Sequence, residues 1–207
     1  GTATEENWNT TSTLHHQSYS YSKTVAEKEA WRICENQTRW DMVVINPSLV
    51  IGPGISPWGT SESFNIVKQI GDGSFKTGVP GLDFGMVDVR DLAIAHYRAG
   101  FRPEAKGRHI ISNERMSILS LVKLLEEDFG KYFQFPKKEL PKALVWLIAP
   151  LAGIKRKMVA NNVGYPFMVD NTKSKRELNI EYRPIKTSIV DFFQQMIENE
   201  ILKPKGK

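Results

Sequence analysis

The most constraining stretch of this sequence is Met42-Val-Val-Ile-Asn-Pro47, a short, nearly all-apolar run closed by proline. A strand that is apolar on both faces is buried on both faces, which is the situation of a parallel sheet covered by helices. Pro47 has no amide hydrogen and so ends the ladder. The surroundings fit such a layer. A helix is predicted from about Ser18 to Asn36, where Val25, Ala26, Ala30, Ile33 and Cys34 form an apolar stripe. Ser48 to Gly59 is broken by Gly and Pro and reads as loop. Ser61 or Ser63 is placed to cap a helix that runs to about Gly71, and Gly71-Asp-Gly-Ser74 reads as a turn. Phe84 to Val89 and Arg108 to Ser112 are further strand candidates, with a helix from Asp91 to Gly100 between them. Strands alternating with helices indicate an α/β fold.

Beyond residue 112 the pattern turns mostly helical. Ser117 caps a helix whose apolar positions are Ile118, Leu121, Val122, Leu124, Leu125 and Phe129, and Gly130 closes it. A second helix is expected near Pro141 and a last one from about Ser188 to Leu202, followed by a frayed tail from Lys203 to Lys207. Three short strands are too few for a complete doubly wound sheet. The order therefore reads as the back end of an α/β domain joined to a smaller, mainly helical lobe. On this reading the Met42–Pro47 strand lacks parallel neighbours within the chain and leaves apolar surface uncovered.

Composition narrows the function classes. A chain of 207 residues, 41% of them hydrophobic, is enough for a real core. Its one cysteine, Cys34, forbids an internal disulfide and favours a reducing, cytoplasmic setting. The longest apolar run, Ala143 to Ile154, is interrupted by Pro150 and falls short of the roughly 20 residues of a spanning helix. No signal-like apolar segment opens the chain, which begins with Gly1, as a fragment or a processed product would. Residues 101–207 carry 20 basic and 12 acidic side chains, against 8 and 11 in residues 1–100. Such a basic half attracts anions or is simply a solvated lysine-rich surface. Without interleaved aromatic platforms it does not point to nucleic acid. Lys155-Arg-Lys157, after an apolar helix, is either a membrane-surface patch or a solvated helix end that suits the dipole.

The chemistry-bearing pattern is Tyr19-Ser-Tyr-Ser-Lys23 at the start of the first predicted helix. A spacing of four puts Tyr19 and Lys23 on one helix face, one turn apart. An ammonium beside a phenol favours the phenolate, and such a phenol can deliver a proton near neutral pH. Carbonyl reduction needs that proton, because hydride arriving at carbon leaves an alkoxide. A second match to the spacing, Tyr182 to Lys186, contains Pro184 and should not share a face. Asp88 and Asp91 form a pair of carboxylates, but nothing else supports a hydrolase; Asp91 reads as a helix cap or a structural acceptor. His15 and His16 either line a substrate mouth or are plain loop histidines, His96 and His109 read as structural, and no metal site is expected.

Tyr19, Ser22, Lys23, Ala26 and Glu27 are followed by Asn46-Pro-Ser-Leu-Val-Ile-Gly-Pro53 and then by Val87-Asp-Val-Arg-Asp-Leu-Ala93. In this order the chain resembles the extended short-chain dehydrogenases/reductases of the NAD-dependent epimerase/dehydratase superfamily. It looks most like the branch of dihydroflavonol reductases, cinnamoyl-CoA reductases and aldehyde/ketone reductases. The resemblance implies Tyr19 as catalytic acid/base and Lys23 as its partner, also bonded to the nicotinamide ribose. It implies Pro47, Ser48, Leu49 and Val50 beside the nicotinamide, and Ser63 (or Ser61) at the cofactor phosphates. The Ile55–Gly59 loop with Trp58, and Phe84 and Met86, are candidates to face an apolar carbonyl substrate. The implied cofactor is NADP, with NAD as the alternative.

The implied architecture is the trailing part of an incomplete Rossmann-like parallel sheet in residues 1–112, with about 55–80 reaching into a mainly helical substrate lobe at 113–207. The glycine-rich phosphate loop of the family is absent, and its catalytic Ser/Thr would lie upstream of Gly1. The chain alone is accordingly expected to be incomplete and inactive. Two rival readings remain: a nucleotide-sugar epimerase or dehydratase using the same pair, and a non-catalytic dinucleotide-binding protein.

Overall fold

The computed structural model describes residues 1–56 and 58–204. Pro57, within the Ile55–Gly59 loop, and residues 205–207 of the predicted tail lie outside the described residues. A polar loop leads into α1 (Ser18–Glu35), β1 (Val43–Pro47), β2 (Leu49–Ile51), α2 (Glu62–Gly71), β3 (Val79–Pro80), β4 (Asp83–Asp88) and α3 (Val89–Phe101). There follow β5 (Gly107–Ile111), β6 (Glu114–Ser117), α4 (Ile118–Phe129), β7 (Glu139–Leu140), α5 (Lys142–Ile148) and a single 3-10 turn at Ala149–Ala152. The chain ends with α6 (Arg156–Asn162), α7 (Thr172–Glu177) and α8 (Ile185–Glu198). Mixed helices and parallel strands match the α/β reading.

The apolar run at Met42–Pro47 leads a stretch of strand that changes partner. β1 pairs in parallel with β5, in register from Val43 with Gly107 to Pro47 with Ile111. Ser48 still donates its amide to the Ile111 carbonyl at 3.0 Å. Past Pro47, which has no amide to give, the chain turns to β4: β2 pairs with it in parallel from Leu49 with Met86 to Ile51 with Asp88. β4 then pairs antiparallel with β6, and β3 with β7 makes a separate short ladder. Two expectations are corrected. β1 does have a parallel neighbour, because the chain returns through α3 to lay β5 beside it, and Ser48–Gly59 is not all loop. β1 nevertheless has one strand partner only among the described residues, and Val43–Asn46 are only half-buried. The second half is also less purely helical than its pattern, since β6 and β7 are strands too short and polar to show alternation.

The main core lies between the β2-β4-β6 sheet and the helices α2, α4 and α8. Phe193 of α8 is fully buried there, with the rings of Phe129, Phe133 and Phe135 at 4.8, 5.0 and 5.8 Å. Gly71 ends α2 where a Cβ would stand 2.5 Å from Leu202 Cδ1 and 2.8 Å from Phe193 Cε2. The caps of α4 fall where the sequence put them: the Ser117 hydroxyl accepts from the Ser120 amide at 3.1 Å, and Gly130 follows the last turn. A second core joins Val87, Ala95, Ala105 and Ile111 to Leu178 and Ile180. α8 starts three residues before Ser188, directly after Pro184, whose φ of −55° suits a helix start. Ser188 is instead buried inside the helix.

Charged groups lock these layers. Asp88, not Asp91, caps α3, accepting from the Arg90 amide at 2.7 Å. It also receives the Arg90 guanidinium at 2.9 and 2.7 Å, and Arg90 Nη1 reaches Asp191 of α8 at 2.8 Å. Asp91 accepts from the amide and Nε of Arg183 at 2.9 and 2.8 Å, the structural-acceptor half of its expectation. Burial alone would push the Asp88 carboxyl up, but the Arg90 hydrogen bonds outweigh it and hold the group below the usual aspartate range.

Helix α1 is attached differently, since none of its residues is buried. Glu27 accepts from Arg108 Nε of β5 at 2.6 Å and from Asn46 Nδ2 of β1 at 3.2 Å. The Arg108 guanidinium lies over the Trp8 ring at 4.1 Å and donates to the Asn7 carbonyl at 2.9 Å. One acidic side chain thus ties the helix to both strands.

Three outcomes follow from this architecture. Phe193→Ala lowers unfolding free energy by about 3–5 kcal/mol in denaturant titration, through the lost contacts and the cavity left behind. A carboxylate lowered by folding stabilises the fold above its unfolded value and loses that contribution as pH falls. The unfolding midpoint therefore drops below about pH 4, and Asp88→Asn flattens that acid limb while lowering stability at neutral pH. Glu27→Gln speeds hydrogen exchange of α1 amides about tenfold, the equivalent of roughly 1–2 kcal/mol of local tie, with α4 and α8 amides unchanged.

Candidate active site

In open α/β sheets ligands bind outside the carboxyl ends of strands, and at that end of β1 the structure has a cleft of about 640 Å³. Tyr19, Lys23, Ala26, Glu27 and Ala30 of α1 form one wall, and Val44, Ile45, Asn46 and Pro47 of β1 form the floor. Trp8 and Arg108 close it. The helical spacing of four does what the sequence required: Lys23 Nζ stands 5.6 Å from the centre of the Tyr19 ring. The Tyr19 side chain is 74% exposed, so a solute can reach it. Below it, the Asn46 amide nitrogen is spent on Glu27, while its Oδ1 is buried without a partner.

Of the residues singled out from sequence, the cleft brings together Tyr19, Lys23 and Pro47. Ser48 bonds Ile111, and Leu49 and Val50 lie in β2 against the two cores. Ser63 is buried on α2 with its hydroxyl 3.1 Å from that of Ser61, which is the helix cap. Trp58 is exposed, Phe84 packs on the main core, and Met86 is fully buried within it. His15 and His16 lie in the loop before α1, where the His15 carbonyl accepts from Lys155 Nζ at 2.8 Å. His109 is buried with Nε2 3.0 Å from Glu177. The second Tyr/Lys match is separated as Pro184 requires: the Tyr182 hydroxyl is 2.8 Å from that of Ser174, and Lys186 pairs with Glu127.

Sequence reasoning missed Trp8 and Arg108 as parts of the cleft, placed Asn46 at the ligand-binding end of the strand without giving it a role, and saw Glu27 only as motif spelling. Asn46 stands at the end of the apolar strand, which is a usable signal. Trp8 is a lone aromatic in a polar loop and gives none. A second cleft of about 620 Å³ lies between α1 and α3, with Trp31, Cys34, His96 and Arg102 in its wall. Size therefore does not distinguish the two; the first alone of these two is lined by both Tyr19 and Lys23.

No protein-family model matches the chain. It is 31% identical over 186 residues to cinnamoyl-CoA reductase 1 of Arabidopsis thaliana, covering 90% of this chain and 48% of that protein. It is 30% identical over 212 residues to the NADPH-dependent methylglyoxal reductase GRE2 of Saccharomyces cerevisiae, covering 96% of this chain and 58% of that protein. Among solved structures, yeast methylglyoxal/isovaleraldehyde reductase Gre2 complexed with NADPH superposes with a TM-score of 0.70 at 26% identity, over 95% of this chain and 57% of that one. Vestitone reductase from alfalfa shares the fold, with a TM-score of 0.72 at 19% identity over 97% of this chain and 60% of that one. The chain thus spans about half to three-fifths of the length of the relatives it matches. Its homologues are thus cinnamoyl-CoA and methylglyoxal reductases, and the partial coverage fits the carboxyl-terminal portion of an extended short-chain dehydrogenase/reductase.

Proposed function

We propose that the chain is the carboxyl-side portion of an NADP(H)-dependent reductase that converts an aldehyde or ketone to an alcohol. The observation that carries the reading is the meeting of Tyr19 and Lys23 in one solvent-accessible cleft at the carboxyl end of β1. The cofactor, when bound, supplies the hydride. Tyr19 gives its phenolic proton to the carbonyl oxygen as that oxygen gains charge. Lys23 stabilises the negative charge left on the phenol oxygen. The unpartnered Asn46 Oδ1 offers an acceptor for the carboxamide of a nicotinamide, and Lys23 offers donors for a ribose hydroxyl.

The fit extends to the nicotinamide end only. Ser63 is turned to Ser61, away from the cleft wall, and no glycine-rich loop joins a strand to a helix in this sequence. The phosphate groups are therefore assigned to a preceding portion of the protein, against the edge of β1 that has no strand partner among the described residues. Residues 1–112 belong with that dinucleotide-binding layer and 113–207 with the substrate lobe, with 55–80 crossing over. Trp58 and Phe84 remain candidates for the substrate side, with a small apolar carbonyl compound as partner. Met86 is retained only as support beneath them.

The test uses the full-length protein. Tyr19→Phe lowers kcat for NADPH-dependent aldehyde reduction by about 10²–10⁴-fold with little change in NADPH affinity. Unchanged turnover would remove Tyr19 from the chemistry, and turnover of a nucleotide sugar without aldehyde reduction would favour the epimerase.

A further inference from the structure

The segment from Lys137 to Lys157 contains Lys137, Lys138, Lys142, Lys155, Arg156 and Lys157 against one acid, Glu139. The structure gives this charge a setting. α5 and the following 3-10 turn bury only Val145 and Ala149, which pack on Val159 and Val163. Leu144, Leu147, Ile148 and Leu151, at helical spacing, face outward and are exposed, as are Trp146 and Ile154. Leu147 is 60% and Leu151 91% exposed, so the ridge stands proud of the surface. The Arg156 guanidinium lies over the Trp146 ring at 4.3 Å, which holds a positive charge at the edge of the apolar strip. Lys142 is held at the other side, over Tyr165 at 4.3 Å.

We propose that this ridge docks on an anionic lipid surface, lying in the plane of the bilayer without crossing it. No helix among the described residues is long and apolar enough to span. Apolar side chains on a short helix enter the acyl boundary, tryptophan sits at headgroup depth, and flanking lysines meet acidic headgroups. Protein interfaces deplete lysine around an apolar centre, whereas this strip is bracketed by it along the chain, by Lys142 on one side and Lys155 and Lys157 on the other. The complementarity of a basic rim to acidic headgroups is what selects a lipid surface as the occupant. The proposal is independent of the carbonyl chemistry.

The test is vesicle co-sedimentation of the full-length protein, with phosphatidylcholine vesicles with and without phosphatidylserine. Binding to the mixed vesicles is expected to exceed binding to phosphatidylcholine by about tenfold or more, and to weaken with salt. Leu147→Glu with Leu151→Glu is expected to abolish binding. Lys138→Glu with Lys157→Glu is expected to cost about tenfold or more, while both pairs keep the wild-type thermal unfolding midpoint. Equal binding to both vesicle types, or none to either, would overturn the proposal. So would a wild-type dimer that Leu151→Glu converts to monomer, since the ridge would then belong to a second copy.

Discussion

The candidate site depends on the Glu27–Arg108 ion pair. α1 carries both side chains proposed for the chemistry, yet buries no residue. The hydrophobic effect, which fixes α4 and α8, has little hold on it. A half-buried carboxylate shared between Arg108 and Asn46, with the guanidinium stacked on Trp8, sets the helix against the two parallel strands. Such a charge-assisted, planar contact fixes direction as well as distance. The distance of Lys23 from the Tyr19 ring is internal to the helix. The position of both over Asn46 and Pro47 is not, and that is what Glu27 and Arg108 supply.

A second constraint is the proline that ends β1. By withholding one amide hydrogen, Pro47 lets a single extended stretch serve two ladders, with β5 before it and with β4 after it. The exchange places Pro47, at the end of the cleft floor, where the chain passes from the small core under α3 to the sheet of the main core. The Asp88–Arg90–Asp191 chain, buried at its Asp88 end, and the Asp91–Arg183 pair link α3 to α8 and to the segment before it. The two cores are therefore joined by directional polar contacts as well as by chain connectivity.

The parts legible in sequence were those governed by local chemistry. α4 showed both its caps because Ser117 and Gly130 each act within one turn. α1 was readable from its stripe, and the Tyr19–Lys23 geometry from its spacing. The strands β2, β3, β6 and β7 were not legible: they are two to four residues long and take their pairing from distant chain. The sequence left Asp91 open between helix cap and structural acceptor because only Arg183, far along the chain, decides which of the two acids is claimed elsewhere. For the same reason the β1–β5 pairing was missed. Met86 shows the limit on the site side: the sequence can place a residue on a strand, but only packing says which face it points to.

The central claim is that a nicotinamide nucleotide is held on the Tyr19 side of α1, not in the equally large cleft beside Trp31 and Cys34. Titrating NADPH into full-length protein, with side-chain amides and aromatic rings observed by NMR, tests it directly. The account predicts that the Asn46 side-chain amide and the Tyr19 ring shift together and saturably, with Trp31 and His96 unmoved. Shifts confined to Trp31 and His96, with Asn46 and Tyr19 still, would contradict it.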